Sequence, residues 1–341
     1  MFANDKKINK IFFFWLLISL LLVFLIIIVG GLTRLTNSGL SITEWELFSG
    51  LIPPTNFSSW NKYFDQYKEI PQYKLLNFDM SLNEFKVIFY WEYIHRIIAR
   101  FIGLFFMLPL IFFYFSNKIK TEYINICLVI FSLIIFQGTI GWYMVKSGLV
   151  NEISVSHFRL SAHLLMAILI ISIIFWLLKN IQSNKFKIFF NFNRNNTPYQ
   201  ILIFLILVQI SIGAFVSGLD AGKIYQTWPK MGNSFIPNDL MLDNLKEFFE
   251  LDNRSLIQFY HRKLAYIIIL YSIFLGVHIY RKKIHFLFNS YKFLMFFIFI
   301  QITLGIFTLI SGLNIFLASM HQITSVLLVF SALNLYYLVA K

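Results

Sequence analysis

Cysteine is all but missing from this chain. The single Cys127 permits no internal disulfide and no cysteine-based metal site. Charge is scarce as well. Only 13% of the 341 residues are Asp, Glu, Lys or Arg, and the 16 acidic residues are outnumbered by 29 basic ones. Together with 58% hydrophobic residues and a mean hydropathy of +0.70, this excludes both a disordered chain and an ordinary soluble domain. A cleavable leader is not expected either. Basic residues precede the first apolar run, but that run is longer than a leader's. It passes into Gly30-Gly31-Leu32-Thr33-Arg34 with no small-x-small cleavage site, so an uncleaved helix is expected. The absence of an Arg- and Ser-rich transit sequence favours a bacterial inner (plasma) membrane over an organelle.

What the chain has in quantity is apolar runs of membrane length. Eight are expected to be helices, at 11–33, 86–115, 122–145, 158–179, 199–217, 255–280, 291–312 and 315–339. Each can cross a hydrocarbon core of ~30 Å. A net charge of +13 raises the question of nucleic acid, but the distribution of charge answers it. With the N-terminus placed inside, the inner segments collect Lys6, Lys7, Lys10, Lys118, Lys120, Lys179, Lys185, Lys187, Arg194, Arg281, Lys282, Lys283, Lys292 and Lys341 against only Asp5 and Glu122. In the outer loops acids outnumber bases. This is the positive-inside bias, which orients the chain N-in and C-in in a lipid bilayer and leaves no role for nucleic acid.

The sequence also repeats itself. Gly30, Gly39, Trp45 and Pro54 correspond to Gly213, Gly222, Trp228 and Pro237 at one constant shift. Past the first long loop the shift shortens, and Glu92-x-x-His95-Arg96-x-x-Ala99 faces Gln258-x-x-His261-Arg262-x-x-Ala265. Gln137 and Gly141 then face Gln301 and Gly305, and His163 faces His321. The expected architecture is an all-α polytopic membrane protein whose eight transmembrane helices form two pseudo-symmetric four-helix bundles. An axis along the membrane normal would relate them. The expected halves are residues 1–184 and 185–341, divided in the basic, polar stretch Asn180–Thr197.

Four histidines stand inside apolar spans, where an ionisable side chain is costly and usually functional. His95, His163, His261 and His321 all lie early in even-numbered spans, which places them in the outer half of the bilayer. Imidazole ligates haem iron, and facing helices of a bundle can approach one iron from two sides. The pairs His95/His163 and His261/His321 therefore read as two haem-type sites. Glu92 is a carboxylate inside a span, three residues before His95 and on the same helix face. Its counterpart is the neutral Gln258. This divergence suggests a reactive site in the N-terminal half and an unreactive redox cofactor in the C-terminal half. The alternative for Glu92 is an ion pair with Arg96. Arg96 and Arg262 are candidates for contacts with haem propionates, whose charge and geometry suit a guanidinium fork. The alternative is that they snorkel to lipid headgroups. Arg100 and Arg159 are weaker candidates for the same role. Gln137 and Gln301, with Gly141 and Gly305, are expected to set close helix packing. In the long outer loops, Asn56–Ile70 is expected to form an amphipathic helix ended by Pro71. Asp243–Leu251 is its expected partner. Such segments would either cap the bundles or lie solvated on the membrane.

These residues resemble the heme A synthase family, in particular its alphaproteobacterial and mitochondrial subgroup. The motifs are Gly-Leu-Thr-Arg-Leu-Thr-x-Ser-Gly-Leu-Ser at 31–41, Trp91-Glu92-Tyr93-Ile94-His95-Arg96, Phe158-Arg159-Leu160-Ser161-x-His163-Leu164, Gly218-Leu219-Asp220-Ala221-Gly222 with Trp228-Pro229-x-Met231, Gln258-Phe259-x-His261-Arg262 and Met320-His321-Gln322. The resemblance implies oxidation of the C8 methyl of haem O to a formyl group, giving haem A for terminal oxidases. It implies haem O as substrate between His95 and His163, haem b as iron cofactor between His261 and His321, and Glu92 as the catalytic residue. The implied partners are the enzyme that makes haem O, an electron donor the sequence does not identify, and a second copy of the chain. The long loop Arg34–Phe85 lacks the cysteine pair that some members carry, which excludes a disulfide role there. Two other classes of function remain open at this stage. One is a two-haem b-type electron-transfer cytochrome that does no porphyrin chemistry. The other is a transporter that uses Glu92 and the histidines as a proton relay.

Overall fold

The computed structural model describes residues 6–45, 49–150, 152–240 and 247–340. Among the described residues the protein is all-helical in its regular structure. Eight helices are long and apolar enough to cross a membrane. They are α1 (Lys6–Leu35), α4 (Leu82–Ser116), α5 (Thr121–Val150), α6 (His157–Ser183), α7 (Thr197–Gly218), α8 (Arg254–Arg281), α9 (Phe288–Ile310) and α10 (Ile315–Val339). Two short helices, α2 (Phe57–Lys68) and α3 (Pro71–Leu76), stand in the first long loop. Every apolar run read from the sequence is a helix, generally extended by a few residues at its ends. The extensions are polar turns with their own capping chemistry. At the start of α4 the backbone N–H and hydroxyl of Ser81 both donate to Glu84 Oε2, at 2.8 and 2.7 Å. At α8 the Asn253 side chain accepts from the Leu256 N–H. Each satisfies donors that a helix start would otherwise leave open.

The chain divides into two compact units, Met1–Ile174 and Phe175–Lys341, with the division inside α6. In the first unit α1 packs along α4. Phe12 and Trp15 meet Phe106 and Phe113, and the Trp15 indole N–H donates to the Phe105 carbonyl. In the second unit α7 packs with α8 and α9 with α10. The polar stretch that follows α6 is built into this unit. Asn180 and Asn196 are fully buried. Asn180 exchanges hydrogen bonds with the backbone of Lys187, and the Lys187 ammonium donates to the carbonyls of Tyr337 and Ala340 at the end of α10.

The expected amphipathic helix at Asn56–Ile70 is α2, and it caps its unit. Trp60, Phe64 and Tyr67 are buried against Phe85 and Phe89 of α4, together with Leu40 and Ile42 of the preceding loop. Burial at this level contributes ~1.5–3 kcal/mol per large apolar side chain. Tyr67 also carries a buried polar network. Its hydroxyl donates to Gln72 Oε1 at 3.0 Å and accepts from Asn77 Nδ2 at 2.7 Å, and Gln72 continues to the Asn37 carbonyl. Burial pushes the Tyr67 hydroxyl above the usual phenol range, so it stays protonated and able to donate. Tyr67→Phe strands the buried Gln72 and the half-buried Asn77 and is expected to cost ~1–3 kcal/mol, read as a lower unfolding temperature of the detergent-solubilised protein. Of the expected partner segment Asp243–Leu251, the first residues lie outside the described residues. Glu247–Phe249 is one 3-10 turn.

Candidate haem sites

Each of the four intramembrane histidines faces a glycine on the neighbouring helix. A Cβ built on Gly30 of α1 would lie 2.9 Å from Cε1 of His95 on α4. On Gly141 of α5 it would lie 3.0 Å from Cε1 of His163 on α6. On Gly213 of α7 it would lie 3.1 Å from His261 on α8, and on Gly305 of α9 it would lie 2.9 Å from His321 on α10. Only a residue without a side chain lets an imidazole lie this close to the adjoining helix. The glycines matched along the sequence are therefore seats for the histidines, and any side chain there would push a ring away from its helix pair.

Within the second unit His261 and His321 face each other, with ring centres 6.4 Å apart and planes at 77°. Two metal–imidazole bonds of ~2 Å each, plus the depth of each ring, span a gap of about this size. The separation of the ring centres thus matches that of two imidazoles sharing one iron. Within the first unit His95 and His163 lie within electrostatic reach of each other. Among the described residues no group of three or more His, Cys, Asp or Glu side chains could hold a bare metal ion. Paired histidines suit a metal that brings most of its own ligands, as haem iron does.

Glu92 is buried, and its carboxylate accepts four hydrogen bonds. Oε2 takes the Ser41 hydroxyl at 2.7 Å and the Ile42 N–H at 2.9 Å. Oε1 takes Arg96 Nε at 3.1 Å and Nη2 at 2.6 Å. The Glu92–Arg96 ion pair that the sequence offered as an alternative is thus formed. Arg96 reaches back along its helix and also donates to the Ile42 and Glu44 carbonyls. Arg262 does the equivalent in the second unit, donating to the carbonyls of Tyr225, Thr227 and Lys230. Both guanidiniums therefore pin a long loop onto the outer part of a helix, a use not expected from the sequence. Gln258 stands where Glu92 stands in the first unit, and its Nε2 donates to the Tyr225 carbonyl at 2.8 Å. The same junction of loop and helix is thus tied in one unit by a carboxylate accepting an N–H and in the other by an amide donating to a C=O. Arg159 lies on the Tyr143 ring, 3.8 Å from its centre, and donates to the Tyr143 carbonyl. Arg100 lines a small cleft with Tyr93, Arg96 and Ile42.

Glutamines contact three of the four histidines. The Gln137 amide donates to the His163 carbonyl at 3.0 Å and stands 3.3 Å from the ring Nε2. The Gln209 amide donates to the His261 carbonyl at 3.0 Å and stands 3.2 Å from the ring Nδ1. The Gln301 amide lies 3.4 Å from His321 Nε2, and its backbone carbonyl is 3.0 Å from His321 Nδ1. Gln137 and Gln301 were visible as repeat partners. Gln209 was missed because its counterpart in the first copy is Ile26, so comparing the copies hid it.

An eight-span membrane protein with four histidines packed against glycines inside its spans is the class these elements define. The chain belongs to the family described as cytochrome oxidase assembly protein, which it matches over residues 13–333. It is 49% identical over 315 residues to the heme A synthase of Pelagibacter ubique (strain HTCC1062), covering 91% of this chain and 90% of that protein. It is 40% identical over 316 residues to the heme A synthase of Rickettsia felis, covering 91% and 93%. The heme A synthase of Rickettsia prowazekii is also 40% identical, over 317 residues covering 91% and 92%.

Proposed function

We propose that this protein is a heme A synthase of a bacterial inner membrane, oxidising the C8 methyl of haem O to a formyl group. The observation that carries the haem reading is the set of four glycine-seated histidines, with one pair's rings separated by the span of a bis-imidazole iron. The relatives' shared name carries the particular reaction. The four matched contacts, and the matched grip of Arg96 on Ile42 and Arg262 on Tyr225, support reading residues 1–184 and 185–341 as two copies of one four-span unit. The charge bias supports an N-in, C-in orientation that puts all four histidines toward the outer face.

In this reading His95 and His163 hold the iron of haem O, the substrate. His261 and His321 hold haem b, which supplies one-electron redox chemistry when bound. The reaction is two successive hydroxylations of the methyl carbon, each a two-electron oxidation that inserts one oxygen. Loss of water from the resulting gem-diol then gives the aldehyde. Glu92, one helical turn before His95, is the catalytic group. An ionised carboxylate has about four acceptor positions, and here four donors occupy them. That supports a held charge that stabilises positive charge developing at the methyl carbon, over a base that takes up a proton. Arg96 and Arg262 keep the loops closed over the sites. Where a propionate comes within reach, they offer the remaining donor capacity of their guanidiniums. The enzyme that produces haem O and a separate electron donor are the proposed partners, and a second copy of the chain is a third.

Gly305→Ala tests the seating of the histidines. The added methyl meets His321 Cε1 at 2.9 Å, closer than carbon atoms pack. The variant is expected to purify with severalfold less b-type haem, measured from its pyridine haemochrome, and with unchanged substrate-haem binding. Full b-type haem content in this variant contradicts the assignment of His321.

A further inference from the structure

Between α6 and α7 the chain runs without helix from Lys185 to Asn193, and its side chains alternate in exposure. Phe186, Ile188, Phe190 and Phe192 are 41%, 61%, 63% and 79% exposed. The residues between them turn the other way. The Lys187 ammonium donates to the Tyr337 and Ala340 carbonyls at the end of α10. Phe189 packs on Trp176, and its carbonyl accepts from the Tyr336 hydroxyl at 3.0 Å. The Asn191 N–H donates to the same hydroxyl, and the Asn191 carbonyl accepts from the Asn196 and Gln200 amides. A period of two sends successive side chains to opposite faces. Phe190 and Phe192 accordingly lie side by side, with ring centres 6.4 Å apart and planes at 17°. One face of the strip is thus fastened down, and the other offers four large apolar groups that the described residues leave open.

The strip joins the ends of two spans, α6 and α7, and is tied to the last turn of a third, α10. It is therefore held at the membrane surface, on the face that the charge bias marks as inner. A contiguous apolar patch there is unfavourable in water and marks a surface that is covered. The N–H and C=O groups of Ile188, Phe190 and Phe192 make no hydrogen bond among the described residues. Open backbone groups are costly in dry hydrocarbon, so the strip belongs at headgroup level, where water reaches it. Charge selects the kind of lipid. Lys185 and Arg194 flank the strip and are exposed, and the sequence has no Asp or Glu from Ile153 to Leu219. Basic residues beside a membrane surface are drawn to anionic headgroups. We propose that residues 186–192 are an interfacial anchor. Its four apolar side chains insert into an anionic lipid surface, and Lys185 and Arg194 hold lipid phosphates. The anchor does not depend on which haem either unit binds.

The test uses the fact that Cys127 is the only cysteine and is buried, so the full chain takes a nitroxide label at one introduced cysteine. Ile188→Cys and Phe190→Cys are labelled and placed in nanodiscs of phosphatidylcholine with phosphatidylglycerol. Collisions with oxygen, which partitions into lipid, are compared with collisions with a water-soluble nickel chelate. Both labels are expected to favour oxygen and to lie ~5–10 Å below the phosphates, and to become shallower in phosphatidylcholine alone. A second measurement needs no cysteine variant. Changing Lys185→Gln and Arg194→Gln together is expected to lower severalfold the phosphatidylglycerol that copurifies with the chain. Labels that favour the nickel chelate overturn the proposal, because the strip is then solvated. Labels shielded from both reagents also overturn it, because a second copy or another protein then covers the strip. Equal depth in both lipid mixtures, or undiminished phosphatidylglycerol in the doubly changed chain, overturns the assignment to anionic lipid.

Discussion

Glu92→Gln is expected to leave both haems bound and to lower haem A formation by ~10²–10³-fold, the usual cost of removing one preorganised electrostatic group from a reaction centre. The variant should fold, because the second unit already has an amide at this place. Gln258 donates to the Tyr225 carbonyl there, beside an arginine that grips the same carbonyl. In the first unit the introduced amide can turn to the Ile42 carbonyl in the same way, while Arg96 keeps its own bond to that atom. The measurement is haem extraction from cells lacking any other source of haem A, paired with the haem content and unfolding temperature of the purified variant. A purely structural role for the Glu92–Arg96 pair would lower stability and haem content along with activity. Undiminished haem A with intact stability would remove Glu92 from the chemistry.

His261→Ala and His321→Ala are each expected to strip the b-type haem, by tenfold or more after purification, and to abolish turnover. The spectrum of haem in the first unit should survive. Each change removes one of two facing rings that stand 6.4 Å apart, and a single imidazole across an apolar gap is a weak hold. Because the two units are separately compact, the damage should stay in one of them. Simultaneous loss of both haems in either variant would mean that one site is shared.

The sequence made the helices plain because membrane spans are long and apolar, and every backbone polar group must be satisfied within its own segment. It also made the histidines plain, since a charge-capable ring among Ile and Phe stands out. The partners of those rings were not legible. Gly30, Gly141, Gly213 and Gly305 could be paired with one another along the chain, but their opposition to histidines depends on which helix faces which. The arginines illustrate the same limit. The sequence offers Glu92 as a partner for Arg96, and the ion pair is formed, but the turn of Arg96 and Arg262 back onto loop carbonyls is something no linear pattern reveals. The cap formed by α2 was half visible. Its amphipathic face and the stop at Pro71 can be read from sequence, but burial of Trp60 and Tyr67 against α4 depends on tertiary packing.

The most direct measurement is the identity and number of haems in the wild-type chain, purified from cells that make haem O. The expected result is two haems per chain, one b-type and one of O or A type, with the second lost when His95 or His163 is replaced. A preparation with no Soret absorption after haem supply would contradict it, as would a single haem lost on replacing a histidine of either pair.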